Sequence, residues 1–207
     1  MHWFKKPESN RSVQKSKDEL HNYWRNRDEM NNNPSGYFQG IERSEFLLAL
    51  VKQYVSTDAS IIELGCNVGR NLNHLWEAGY KNLAGVEINK QAIRLMHEGF
   101  QDMKATIHQG TIEDMIKGLG QYDLVFRIAV LEHIHSDSEG VFAEIARITK
   151  RYLITIEGEK NVVSELHFPR NYKNIFEEVG LRQIYEKHLS QKEGLNTKFY
   201  ARVFEKG

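Results

Sequence analysis

Short apolar runs alternate with stretches of helical period along most of the chain, and the alternation changes character near residue 60. Before it, Leu20, Tyr23, Trp24 and Arg27 follow an i, i+3, i+4, i+7 spacing behind Ser16-Lys17-Asp18-Glu19, a capping-box pattern, which predicts a short helix. Asn31-Asn32-Asn33-Pro34-Ser35-Gly36 breaks it, and Phe46, Leu47, Leu50, Val51 and Tyr54 then predict a second helix over Ile41 to Val55. From Ser60 onward, strands are predicted at Ser60–Leu64, Leu83–Ile88, Ala105–Gln109, Tyr122–Ile128 and Tyr152–Ile156. Between them the pattern predicts helices at Gly69–Ala78, Gln91–Gly99, Ile112–Lys117 and Glu139–Thr149. This is the signature of a parallel sheet with crossover helices. A loop over residues 158–168, a Pro169-headed helix ending at Val179-Gly180, and an antiparallel hairpin from Gln183–Lys187 and Thr197–Phe204 bring the strand count to seven.

Composition fits one domain spanning residues 1–207. The chain has 40% hydrophobic and 27% charged residues and only 3 Pro, so it can bury a core and is not a disordered tail. Residues 1–15 lack an apolar period and read as a flexible leader; residues 16–55 read as a helical cap on the sheet. With 28 Lys plus Arg against 28 Asp plus Glu, no global field draws the chain to nucleic acid or an anionic membrane. The apolar runs are strand-sized, shorter than the roughly 20 residues of a membrane span. Met1-His2-Trp3-Phe4-Lys5-Lys6-Pro7 has no apolar region of the secretory type. One cysteine, Cys66, cannot pair within the chain, so a cytoplasmic home is expected.

The chemistry concentrates in Ile61-Ile62-Glu63-Leu64-Gly65-Cys66-Asn67-Val68-Gly69-Arg70-Asn71, an apolar strand running into a glycine-bearing turn and a helix. Such a turn at the end of the first strand of a doubly wound sheet opens onto the nucleotide crevice. The next strand ends in Glu87, 22 residues after Gly65, close to the spacing of about 20 at which a carboxylate meets ribose hydroxyls. A pyrophosphate calls for Gly-x-Gly-x-x-Gly, and Asn67 stands where the second glycine would fall. An adenosyl ligand without phosphates, ending in an amino acid, suits the loop better.

These residues resemble the cofactor site of class I S-adenosylmethionine-dependent methyltransferases of the small-molecule type. Gln109-Gly110-Thr111-Ile112-Glu113-Asp114 is similar to that family's adenine loop and Tyr122–Phe126 to its fourth strand. Val130-Leu131-Glu132-His133-Ile134 is similar to the family's segment after that strand. The run from Leu64 to Asn71, with Gly85-Val86-Glu87-Ile88-Asn89, is also similar to methylases found with pseudaminic acid biosynthesis. The resemblance implies a Rossmann-like α/β fold, a seven-stranded sheet with the last strand antiparallel, and S-adenosylmethionine as cofactor. It implies that Gly65, Cys66, Asn67, Gly69 and Asn71 line that cofactor near Glu63, and that Glu87 takes the ribose hydroxyls. Ile88 and Ile112 would then cover the two faces of the adenine. Thr111 stands where many relatives carry an aspartate on the adenine amino group, with Glu113 as a substitute. Arg43 would meet the cofactor carboxylate.

Methyl transfer from a sulfonium needs alignment above all, and a hydroxyl acceptor also needs a base. His167 in the loop after the fifth strand and His133 are the candidates for that base, with Tyr37 and the Tyr23–Trp24 helix as a lid over the pocket. Arg127, ending an apolar strand, is expected to meet either a carboxylate of cofactor or substrate, or Glu157 or Glu132 internally. No metal is expected, because the Asp with Asp-Asn set of catechol-type enzymes is missing. The expected acceptor is a small molecule, not nucleic acid and not a membrane component, and the oligomeric state stays open. An NAD(P)-dependent oxidoreductase and a non-catalytic adenosylmethionine-binding partner protein are the competing readings.

Overall fold

The computed structural model describes residues 14–27 and 33–207; the expected leader lies almost wholly outside them, as do Asn31 and Asn32 of the break. Helix α1 (Lys17–Arg25) starts as the sequence predicts: Ser16 Oγ accepts the Glu19 N–H, and the Glu19 carboxylate accepts the Ser16 N–H in return. A 3-10 turn at Pro34–Phe38 leads to α2 (Ile41–Tyr54). Next along the chain come β1 (Ile61–Leu64), α3 (Arg70–Glu77), β2 (Leu83–Glu87), α4 (Lys90–Gly99), β3 (Ala105–Gln109), α5 (Ile112–Met115) and β4 (Tyr122–Ile128). The chain closes with α6 (Val141–Ile148), β5 (Thr149–Gly158), α7 (Tyr172–Glu178), β6 (Leu181–His188) and β7 (Phe199–Lys206).

The seven strands form one sheet in the order β3-β2-β1-β4-β5-β7-β6. Strands β1 to β5 run parallel, and β7 inserts between β5 and β6, antiparallel to both. Strand order reverses between β1 and β4, so their carboxyl ends frame the crevice in which ligands of open α/β sheets bind.

Helices cover both faces, which is why the central strands are mostly apolar on both sides rather than alternating. Ile61, Leu124, Phe126, Ile154 and Ile156 pack toward Leu47, Leu50, Val51, Leu72 and Leu75 of α2 and α3. Their neighbours Ile62, Leu64, Val125 and Leu153 point the other way, onto Phe142, Ile145, Tyr172 and Phe176 of α6 and α7. This period of two decides where every polar residue in these strands goes.

Several boundaries differ from the pattern. Strand β5 runs Thr149–Gly158 rather than Tyr152–Ile156, because pairing of Thr149 with Tyr122 of β4 extends its start and pairing of Gly158 with Phe199 of β7 extends its end. Helix α6 is correspondingly shorter at both ends. Pro169 does not head α7: Asn171 is the N-cap, its side chain accepting the Asn174 N–H, a stronger start signal than a proline two residues earlier.

Candidate functional site: a cleft at the strand-order reversal

The carboxyl ends of β1, β2 and β4 open into a cleft of about 290 Å³. Its floor is the turn after β1, where Gly65 and Gly69 both take positive φ, +76° and +72°. A Cβ on Gly65 would lie 2.7 Å from Val130 Cγ2, so glycine lets the turn pass close to the loop after β4. Asn67 also sits in the left-handed region, at φ 48°, which asparagine tolerates; its Oδ1 accepts the Val68 N–H at 2.8 Å. Ala129, on the opposite wall, is held at φ 53° without that help, a strained backbone of the kind that collects at functional sites.

Glu63 and Glu87 define the electrostatics. Glu63 lies in β1, 2% exposed. Its Oε1 accepts a 2.7 Å hydrogen bond from Asn71 Nδ2, while Oε2, buried in the cleft wall, has no partner among the described residues. Burial pushes its pKa up to about 8, against the opposing pull of the Asn71 hydrogen bond and Arg70. Glu87 ends β2 with both oxygens engaged, accepting the Asn67 N–H at 2.7 Å and the Asn89 N–H at 2.8 Å. Burial raises its pKa too, with those backbone donors pulling the other way. Each engaged oxygen keeps acceptor capacity for a further donor.

Helix α5 is capped by Thr111, whose Oγ1 accepts the Asp114 N–H at 3.1 Å and donates to Asp114 Oδ2. The threonine side chain is therefore committed to the helix. Ile88 and Ile112 also line the cleft, as does Glu113, which accepts a 3.1 Å hydrogen bond from His21 Nε2.

Helix α1 forms the roof. His21, Trp24 and Arg27 face the cleft, with the Arg27 guanidinium 4.4 Å from the Trp24 ring and 5.4 Å from the Tyr37 ring. Arg27 is 7% exposed, and its Nε finds no partner among the described residues. Arg43 reaches the cleft from α2, its Nε donating to the Gly194 carbonyl at 2.7 Å. Arg70, at the first position of α3, donates to Ser44 Oγ and to the Tyr37 and Gln39 carbonyls, fastening the start of α2 to the glycine turn.

The structure brings most of the expected residues together. Glu63, Gly65, Cys66, Asn67, Asn71, Glu87, Ile88, Thr111, Ile112, Glu113, Arg43, Tyr37 and His133 all line the cleft. Gly69 does not; the position of its missing Cβ faces Met96, 2.6 Å from Cγ, so that glycine serves helix packing. Arg127 is a correction. It is completely buried on the other face of the sheet and ion-paired with Glu157, because the period of two puts it with Val125, opposite Glu63 and Ile128. Glu157 Oε1 also accepts the Val130 N–H and its Oε2 the Glu132 N–H, so the pair anchors the loop after β4 from beneath.

His133 reaches the cleft beneath Trp24, ring centroids 4.4 Å apart, and its Nδ1 donates to the Leu166 carbonyl at 2.7 Å. Burial lowers its pKa to about 3, so it is a neutral imidazole and a weak proton acceptor. His167 stands behind it rather than in the cleft, ring centroids 4.8 Å apart. Arg70 and Asn89 line the cleft although neither stands out as a site residue in the sequence. Their signal is position: each falls at the start of a helix that succeeds a cleft-forming strand end.

Comparison with known proteins gives a domain match and a fold. Residues 61–152 match a family model described as a methyltransferase domain. No curated protein matches the chain by sequence. Among solved structures, magnesium protoporphyrin IX methyltransferase from Synechocystis PCC 6803, crystallised with bound SAH, superimposes with a TM-score of 0.69 over 92% of this chain and 98% of its own, at 15% identity. A TehB-like SAM-dependent methyltransferase from Corynebacterium glutamicum gives 0.63 over 80% and 88%, at 19% identity. A SAM-dependent methyltransferase from Archaeoglobus fulgidus gives 0.61 over 79% and 94%, at 15% identity. The segment from Ile61 to Tyr152 matches a methyltransferase domain, in line with the expected resemblance, and the solved structures share the expected Rossmann-like fold with its seven-stranded sheet. No helix among the described residues is long and apolar enough to cross a membrane.

Proposed function

We propose that the chain transfers a methyl group from S-adenosylmethionine, bound in the cleft at the β1–β4 reversal, to a small-molecule acceptor admitted beneath α1. The observation that carries this is Glu63 Oε2: a buried carboxylate oxygen without a partner among the described residues, beside the glycine turn in a cleft that Arg43 and Arg70 also line. A ligand with an ammonium and a carboxylate at one end and ribose hydroxyls further along satisfies this arrangement; a pyrophosphate does not, since it brings no donor to Glu63 Oε2 and opposes the ionisation of Glu63 and Glu87.

In this reading Glu63 accepts from the amino group, and Arg43 or Arg70 meets the carboxylate. Glu87 accepts from the ribose hydroxyls, while Asn67, Cys66 and Gly65 shape the turn beneath. Ile88 and Ile112 sandwich the adenine, with Glu113 within reach of its amino group in place of Thr111. The cofactor supplies a methyl group already activated by the positive sulfonium. The protein contributes alignment and the exclusion of water. Trp24, Arg27 and Tyr37 roof the acceptor end, His133 and Ile134 wall it, and residues 16–55 act as the cap of a single domain.

Calorimetric titration with S-adenosylmethionine, with S-adenosylhomocysteine and with NADH tests the reading. Saturable binding of the first two and none of the third is expected, together with label transfer from methyl-labelled cofactor to members of a small-molecule panel. Folded protein that leaves S-adenosylmethionine unbound at millimolar concentration refutes it.

A further inference from the structure

We propose that Glu132, His133 and His167 form a binding site for a divalent first-row transition ion in the wall between the cleft and the loop after β5. One carboxylate oxygen and one nitrogen from each imidazole already lie within 4.8 Å of one another. Ligands held about 2.1 Å from a common ion stand about 3.4 Å apart, so modest side-chain rotations close the set.

The surrounding bonds orient the donors. His133 donates Nδ1–H to the Leu166 carbonyl at 2.7 Å, which fixes its tautomer and leaves the Nε2 lone pair as its ligand atom. His167 Nδ1 shares a 2.8 Å hydrogen bond with Ser164 Oγ; with Nδ1 as donor, its Nε2 is likewise free. Asn161 Nδ2 donates to Glu132 Oε2, leaving Oε1. The Phe168 N–H donates to the Glu132 carbonyl at 2.6 Å, so the loop that carries His167 is tied directly to the residue it must face. Each of the three donors thus has the outer partner that metal-ligating side chains ordinarily have. Arg127, the buried cation close enough to act on Glu132, is ion-paired with Glu157, which offsets its repulsion of an incoming ion.

Two imidazoles with one carboxylate suit zinc, manganese, iron or cobalt rather than calcium or magnesium. Three protein ligands leave at least one position open, and His133 belongs to both the ion set and the cleft. The consequence, which rests on the methyltransferase reading, is an acceptor that binds through a hydroxyl oxygen. The ion lowers that hydroxyl's pKa and the proton leaves to water. The oxygen lone pair then forms the bond to the methyl carbon as the carbon–sulfur bond breaks, its electron pair staying on sulfur as a neutral thioether.

The test is titration of the untagged, chelator-treated full chain with Co²⁺, read by equilibrium dialysis and visible absorption. One Co²⁺ per chain is expected, with affinity falling at least about tenfold in H167N and in E132Q. Because Glu132 is buried, E132Q could unfold; H167N changes a half-buried loop residue and carries the test alone if it does. Uptake in wild type no tighter than in a folded H133N/H167N double variant overturns the site. Parallel titration with S-adenosylmethionine separates the two claims: Co²⁺ bound without cofactor binding leaves the ion site standing and removes the methyltransferase reading, and cofactor bound without Co²⁺ does the reverse.

Discussion

Replacing Glu63 by Gln should stabilise the free protein and weaken its cofactor binding, two effects of opposite sign from one atom. Glu63 is 2% exposed, and its pKa stands at about 8 against an ordinary 4.5. A carboxyl whose pKa is raised by folding contributes fully below pH 4.5 and loses that contribution as pH climbs toward about 8. The loss amounts to about 5 kcal/mol above pH 8, of which about 3 kcal/mol is already in force at pH 7. Glutamine keeps the acceptor for Asn71 Nδ2 and never ionises, so E63Q escapes the cost. Urea unfolding at pH 4.5, 7 and 9 should show a difference near zero at the lowest pH and growing in favour of the variant thereafter. Binding should move the other way: exchanging a carboxylate for an amide beneath an ammonium forfeits a charge-assisted hydrogen bond of about 1.5–3 kcal/mol, roughly 10- to 150-fold in Kd. A variant destabilised equally at all three pH values, or one that binds S-adenosylmethionine like wild type, would refute the reasoning.

Gly65→Ala forces a Cβ to 2.7 Å from Val130 at φ +76° and should cost about 1–3 kcal/mol of stability together with cofactor affinity, whereas Gly69→Ala meets a flexible methionine outside the cleft and should lower the melting temperature with a smaller effect on calorimetric affinity. Gly65→Asp, which adds a negative charge beside Glu63, should abolish measurable binding in protein shown folded by circular dichroism. Arg127→Ala leaves Glu157 buried without its ion pair and should lose about 3–5 kcal/mol in denaturant titration, while cofactor affinity of the fraction that stays folded is retained; a selective loss of affinity would return Arg127 to the site. Trp24→Ala removes the roof over His133 and should raise the acceptor KM more than it changes cofactor Kd, as steady-state kinetics with an identified acceptor would show.

The sequence by itself carried the strand succession, the glycine turn and the carboxylate at the end of β2. These depend on local periodicity and on the fixed spacing of one β-α-β unit, and both are written in neighbouring residues. The capping box before α1 was legible for the same reason. Arg127 was partly legible: alternation puts it on the face of Val125, and Glu157 stood among its expected partners. The β1–β4 register, however, is what sets it on the face opposite Glu63, and the choice of Glu157, 30 residues away, depends on β4 and β5 being neighbours in the sheet. Tertiary structure alone decided that α1 lies across the cleft, that Glu63 Oε2 is buried without a partner among the described residues, and that His167 meets Glu132 and His133. Each of these joins segments separated by a chain reversal or a crossover, where contact depends on how helices pack on a twisted sheet and not on the period of any one segment.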